Sequence, residues 1–444
     1  MGFPWGAILP EIVFVFIQAL VQPFFWIVVV LIWLMYQRMQ KAREALLGVR
    51  GSTLRSVLSA LGYGVVGGLL GSILIVVLGV SINDLGIAYL WLIAILLMLI
   101  SPRFLCFSYA GGILALISLL TGHPELNIPA LMGLVGVLHL VESTLILVSG
   151  HIEPLPVYVR NRFGRVVGAF NLQKFWPIPL AIVAVAAAPQ APAGGIAMPD
   201  WWPVLGILGT ASAQTVFSIF PVVAALGYGE LAVTCLPRER VRRTSLHLAA
   251  FSLVLLGLAI LAAHAPQTAI LAALFAPLGH EIVIHAGQRS ELQGQPRFIP
   301  PMRGVMVLDV LQGSPAHQAG LRSGDVILRV GGLPANSRTE LSSALDAAGR
   351  SFEIEFQQVP GGVRRAQAVV GRDDLPGGTG WNGLSGVTDR DDLSGPTGRS
   401  GILGMTGRFG VITVPEPGDP PTVDIAVTGF LQRLARRLFR TGAR

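Results

Sequence analysis

The chain has 444 residues, 52% hydrophobic and only 13% charged, where a water-soluble domain carries about 25% charged residues. With a mean hydropathy of +0.64, a single soluble globule is excluded. The net charge of +7 is unevenly placed: residues 1–37 hold no Lys or Arg, and residues 289–444 hold most of the acids and bases. A membrane region therefore precedes a soluble one.

Cationic loops of such a chain report topology before they report a nucleic-acid partner, and no nucleic acid is expected. Cys106 and Cys235 stand far apart, in or beside apolar segments, which leaves no disulfide framework and no CxxC metal site. The N-terminus has no basic leader and its first apolar stretch is too long for a cleaved signal peptide, so it is expected to stay.

A bilayer-spanning helix needs ~20 largely apolar residues. Nine stretches approach that length, at about 12–36, 57–80, 86–101, 104–121, 128–149, 175–189, 203–228, 246–264 and 267–285. The sixth is short and holds Pro177 and Pro179. The expected fold is an all-α polytopic transmembrane bundle of about nine helices, followed by a small mixed α/β domain. Arg38, Lys41, Arg43, Arg50, Arg55, Arg103, Arg160, Arg162, Arg165, Lys174, Arg238, Arg240, Arg242 and Arg243 then all fall in alternate loops. The loops around 83–84, 123–127, 190–200 and 265–267 have none. The positive-inside rule puts the N-terminus outside and everything after residue 286 in the cytoplasm.

The second span carries two overlapping GxxxG spacings, Gly64 with Gly68 and Gly67 with Gly71, which let backbones approach closely. Packing inside the chain's own bundle is preferred; a homo-oligomer is the alternative. Polar groups in apolar spans are costly and often functional. His139 and Glu142 share a face of the fifth span at i, i+3, Gln18 and Gln22 lie a turn apart before Pro23, and Gln214 stands alone. Few acids occur and no run of them, so hydrogen bonding between helices is preferred over a solute or proton route.

The last span ends Leu278-Gly279-His280-Glu281, with His285 further on. HExxH zinc sites need the second histidine four residues after the first. Here Ile284 holds that position and His285 is swung ~100° further round the helix. No catalytic residue, metal ligand set or cofactor is expected. His280 and Glu281 are read as capping the helix or touching the next domain.

Beyond residue 298 the pattern changes. Gly304-Val305-Met306-Val307-Leu308-Asp309-Val310 reads as a strand, followed by Gly313-Ser314-Pro315-Ala316, Ala319-Gly320-Leu321 and Gly324-Asp325-Val326-Ile327. A helix over 339–348 with Thr339 as N-cap, then strands over 351–357 and 364–370 around a Pro-Gly-Gly turn, close the unit. This order resembles a bacterial PDZ domain, which implies peptide binding by strand addition. The groove candidates are Arg303, Gly304, Val305, Met306 and Val307, with Leu341 and Leu345 on the helix; a core role for the two leucines is equally open. The chain departs from the family where a carboxylate-binding loop and an extra strand usually precede the GV-strand. Here 296–303 is short and holds Pro300 and Pro301, so the groove is expected to be shortened or to take an internal segment.

The domains are thus a membrane region at 1–286, a connector at 287–297, the PDZ domain at 298–370, a flexible Gly-rich segment at 371–421 and a basic amphipathic tail at 422–444. A strand over 402–414 is a further option. The tail sets Phe430, Leu431, Leu434 and Leu438 against a basic face, a pattern that lies on anionic lipid.

A polytopic bundle, the Leu278-Gly279-His280-Glu281 ending, a short polar connector with Pro300-Pro301 and one terminal PDZ domain together resemble MinJ-type proteins, the division-site topology factors of Gram-positive rods. The Phe175-Trp176-Pro177-Ile178-Pro179-Leu180 string adds to the likeness. The resemblance implies a bacterial cell-membrane scaffold whose cytoplasmic PDZ domain binds division-site proteins of the Min system. The alternatives are a transporter with a PDZ regulatory domain and a regulator of a membrane protease.

Overall fold

The computed structural model describes residues 2–49, 51–83, 85–101, 106–187, 198–206, 215–358, 361–370 and 404–423, with Phe104 and Ile196 as isolated positions. The basic tail, Gln214, Arg103 and most of the Gly-rich segment lie outside these residues.

The first apolar stretch divides into α1 (Trp5–Val21) and α2 (Pro23–Leu47). Gln22 between them is extended, with ψ 137°, because a residue before proline is driven from helical geometry; Pro23 then opens α2, where its missing N–H costs nothing. Next come α3 (Thr53–Leu78), α4 (Ile87–Ile100), α5 (Phe107–Thr121), α6 (Ile128–Ser149), α7 (Pro237–His264) and α8 (Ala269–Gln293). Among the described residues five helices are long and apolar enough to cross a bilayer: α2, α3, α6, α7 and α8 with its leading turn.

Two of the expected spans are too short to cross. α4 and α5 have 14 and 15 residues, ~21–23 Å at 1.5 Å per residue, against a hydrocarbon core of ~30 Å. Cys106, at the joint between them, touches His139, midway along α6. The pair thus turns at the mid-height of α6.

Over their described residues, the sixth and seventh expected spans are not helices. They belong to a hairpin of β2 (Val166–Ala187) and β3 (Thr215–Ala232), with β1 (Leu155–Arg160) antiparallel to the start of β2. Helix formation over 175–189 would place two prolines in the interior at ~3 kcal/mol each, and would force Trp176 and Ile178 into geometry that a following proline disfavours. A strand edge tolerates both. The edge of β2 that meets α3 is satisfied step by step. The Tyr36 hydroxyl accepts from the Phe175 N–H and donates to its carbonyl, Pro177 and Pro179 bring no N–H, the Ala181 N–H reaches Ser72 Oγ at 2.9 Å, and the Val183 carbonyl accepts from Ile82 N–H at 2.8 Å. β2 therefore climbs beside α3 in the same direction, up to the parallel bridge Ser81–Val183, and β3 returns.

The C-terminal unit contains β4 (Val305–Val310), α9 (Pro315–Gln318), β5 (Val326–Val330), β6 (Leu333–Pro334), α10 (Arg338–Ala347), β7 (Ser351–Gln357), β8 (Val363–Val369), β9 (Met405–Thr406) and β10 (Val411–Thr413). Its strand order is β8-β7-β5-β4-β10-β9, with β6 on β5. The cap of α10 is Ser337, whose Oγ accepts from the Glu340 N–H at 3.1 Å, two residues before the expected Thr339. β9 and β10 come from the segment read as flexible over 371–421. They are held because Gly410-Val411-Ile412-Thr413-Val414 supplies a short strand that is buried on both faces.

Period-two alternation joins this unit to the helices. Val305, Val307 and Val411 enter its own core with Ile327, Leu341, Phe356 and Phe409. Leu308 and Ile412 instead join Phe298, Tyr158, Phe170 and Leu172 in the core that continues into the helices. The Gly168 N–H bonds to the Phe298 carbonyl at 2.9 Å.

Candidate functional site

The residues expected to form a peptide groove are placed as follows. Arg303 is exposed, and Gly304, with φ +81°, donates its N–H to Asn336 Oδ1. Val305 and Met306 pair with β5, and the Val307 N–H bonds to the Asp325 carbonyl at 2.8 Å. The opposite edge of β4 is occupied by β10, with Val411 opposite Val310 and Ile412 opposite Asp309. The GV-strand is therefore interior to the sheet. Leu341 is fully buried in the core and Leu345 packs partly against it.

The strand missing before residue 304 is supplied from the other end of the unit. Gly404 to Thr413 form a tight hairpin in which Val411 pairs with Thr406 and Ile412 with Met405, and the Thr413 N–H bonds to the Gly404 carbonyl. Arg338, at the start of α10, straps this hairpin to the helix. Its guanidinium reaches Asp419 at 2.6 Å and Thr413 Oγ1 at 3.2 Å, and its N–H donates to Glu416 Oε1 at 2.6 Å. The Tyr158 hydroxyl of β1 donates to the Thr413 carbonyl at 2.8 Å and accepts from the Gly404 N–H at 3.2 Å. None of Tyr158, Arg338, Thr413 or Asp419 has a motif to mark it; only the apolar alternation at 411–414 signals the strand.

A cavity of about 830 Å³ separates this unit from the ends of α3 and α7. Arg55, Lys174, Arg238 and Arg322 line it, with Glu153 and Asp325. Arg55 and Arg238, in the first turns of α3 and α7, and Lys174 of β2 thus face the same space as the C-terminal unit.

A second site lies among the helices. The sequence points to four ionisable residues here: His139, Glu142, His280 and Glu281. The structure brings His139 and His280 together, with ring centroids 5.1 Å apart. It adds Cys106, whose Sγ lies 3.1 Å from His139 Nε2 and 3.8 Å from His280 Nε2. His139 Nδ1 bonds to the Val135 carbonyl at 2.7 Å; an acceptor there fixes the proton on Nδ1 and turns the Nε2 lone pair toward the sulfur. Glu142 stands one turn further along α6, half-buried. Glu281 is turned to another set of partners: the Tyr109 hydroxyl bonds to it and His285 Nε2 lies 3.1 Å away. Sequence spacing could not show this trio, because its members come from α6, α8 and the residue before α5.

Comparison with known proteins agrees with this division. A PDZ-domain family model matches residues 306–358, so the chain carries a PDZ domain. It is similar to the cell division topological determinant MinJ of Bacillus subtilis, 24% identical over 250 residues, which are 53% of this chain and 57% of that protein. It is also similar to serine protease HTRA1 of Xenopus tropicalis, 30% identical over 73 residues, 16% of each chain. The match covers little more than half of MinJ and a small part of HTRA1. The protease likeness is of PDZ size. The MinJ likeness is longer than the stretch from residue 298 to the C-terminus and so extends into the helical part.

Proposed function

We propose that the chain is an integral membrane scaffold that presents its PDZ domain to partner proteins in the cytoplasm, as a division-site topology factor of the Min system, and that it is not an enzyme. The observation that carries the reading is the likeness to MinJ over 53% of this chain, together with the PDZ domain matched at 306–358.

Three features of the fold support the orientation. α1 and α2 act as one descending run, from Phe3 beside Trp201 to Tyr36 at Phe175. The β2–β3 hairpin goes out and back as two helices would, and the α4–α5 pair returns to the side it left. The parity inferred from the positive-inside rule is therefore kept, and Arg55, Lys174 and Arg238 stay on the side of the PDZ domain. His139 and His280 gather with Cys106 into one cluster while Glu281 turns to Tyr109 and His285, an arrangement that favours a scaffold over a transporter.

The test joins topology to localisation. A reporter at the C-terminus active only in the cytoplasm, septal or polar fluorescence of the tagged full chain, and a division defect on deletion are the expected results. Diffuse membrane fluorescence with normal division would overturn the division-site role. A reporter active only outside would overturn the orientation.

A further inference from the structure

We propose that Cys106, His139 and His280 form a zinc site that pins the joint between α4 and α5 to α6 and α8. One thiolate and two imidazoles are a donor set suited to zinc. Around a tetrahedral zinc, with Zn–S ~2.3 Å and Zn–N ~2.0–2.1 Å, sulfur and nitrogen stand ~3.6 Å apart. The observed separations of 3.1 and 3.8 Å bracket that value, and the three ligand atoms all lie within 4.8 Å of one another.

Two of the ligands are prepared for the role. His139 is 3% exposed, and its Nδ1–H donation to Val135 is the outer-shell bond that orients a metal-binding imidazole. Cys106 is the N-cap of α5, where the Ser108 N–H points at its sulfur at 3.4 Å, a donor for a thiolate. Without a cation, one sulfur must serve both imidazoles, at 3.1 and 3.8 Å. A zinc ion with one thiolate keeps one positive charge; Glu142, next on the same face of α6, is the carboxylate that offsets it.

The position explains the need. The chain leaves helical geometry around Cys106, halfway along α6. Non-helical backbone at such depth persists only where protein holds it. A metal shared by three elements holds that joint with few residues. Three protein donors leave the fourth tetrahedral position to a water, and Glu281, the acid beside His280, is engaged with Tyr109 and His285.

The experiment uses the full chain in detergent, loaded with zinc and desalted, and in parallel with cobalt(II). Wild type and His285→Ala should each retain about one zinc per chain, and the content should fall about tenfold or more in Cys106→Ser and in His139→Ala. The cobalt form should show thiolate-to-metal charge transfer in the near ultraviolet, absent in Cys106→Ser. Because those variants can misfold, a Cys235→Ser chain, in which Cys106 is the remaining cysteine, is labelled with maleimide. Zinc should protect it and a chelator should restore labelling. Wild type without bound metal or a charge-transfer band, equal zinc in Cys106→Ser and His285→Ala, or labelling indifferent to zinc would each overturn the site.

Discussion

The carbonyl oxygen of Pro179 occupies the space that a Cβ on Gly68 would need, and Pro177 stands in the same relation to Gly64. The fit is metric. Four residues of helix rise ~6.0 Å, and two residues of strand rise ~6.6 Å, so glycines at i, i+4 meet prolines at i, i+2. Gly67 and Gly71, the other pair, receive Leu145, and Leu180 with Val141. A helix face built for another helix here takes a strand on one side and α6 on the other.

Gly64→Ala and Gly68→Ala should each destabilise the fold by about 1–3 kcal/mol, since the added methyl meets backbone that has no rotamer to yield. Gly62 lies on the same helix with nothing within 4 Å of its Cβ position, so Gly62→Ala should be neutral or stabilising, by up to about 1 kcal/mol. Thermal midpoints of the full chain in one detergent decide it. Equal losses at all three positions would mean that the close approach to β2 contributes nothing.

Asp309 gives the PDZ domain a pH dependence. Burial pushes its carboxyl up to about 6 from 3.8, against the lowering effects of the Val310 N–H, Arg43 and Ser323. The folded state therefore holds this proton more tightly than the unfolded state. Stability is full below the unfolded value and falls as pH rises from about 4 to about 6, by up to about 3 kcal/mol. Asp309→Asn keeps an acceptor for Val310 and removes the charge. Its thermal midpoint should exceed that of wild type at pH 8 and match it near pH 4. A gap unchanged by acidification would show that Asp309 does not carry the effect.

Much of the architecture was legible because periodicity and charge act locally. α3, α6 and the order of β4, β5, α10, β7 and β8 follow from apolar spacing and turn residues, and the likeness to MinJ from short strings and architecture. What escaped depended on partners distant in sequence. Apolar composition over 175–189 suits a span in either geometry, and only Pro177 and Pro179 hinted at a strand; the face that receives them belongs to α3. The short helices α4 and α5 read as spans because hydropathy records apolar length and does not mark where the chain turns back. The GV-strand looked like a free edge because the residues that close it lie beyond the Gly-rich segment.

That closure predicts a dependence of the PDZ core on residues after 403. Phe409 is 2% exposed and packs against Phe352, with ring centroids 5.9 Å apart. Phe409→Ala should cost about 3–5 kcal/mol, the range of a buried aromatic deletion, and Phe352→Ala a similar amount. Hydrogen exchange of β4 and β5 in the full chain reads the loss. Unchanged protection of those strands in Phe409→Ala would show that the 404–414 hairpin is not part of the domain.

Tyr158 of β1 ties the hairpin at 404–414 to the rest of the chain through its hydroxyl and its backbone. Its hydroxyl serves the Thr413 carbonyl and the Gly404 N–H, and its own N–H and carbonyl bond to Thr422. Tyr158→Phe keeps the ring in the core and removes only the hydroxyl, leaving a buried carbonyl and a buried N–H each short of a partner, at about 1–3 kcal/mol. The Thr422 bonds survive, so the strand β1 should stay protected from hydrogen exchange while 404–414 loses protection. Arg338→Ala should loosen the same segment from the side of α10, where Asp419 and Thr413 lose their shared cation. Because Tyr158 and Arg338 hold one segment from two sides, the double variant should lose less than the sum of the two single changes, or more, by at least ~0.5 kcal/mol. Strict additivity would mean that the hydroxyl and the guanidinium act on independent contacts.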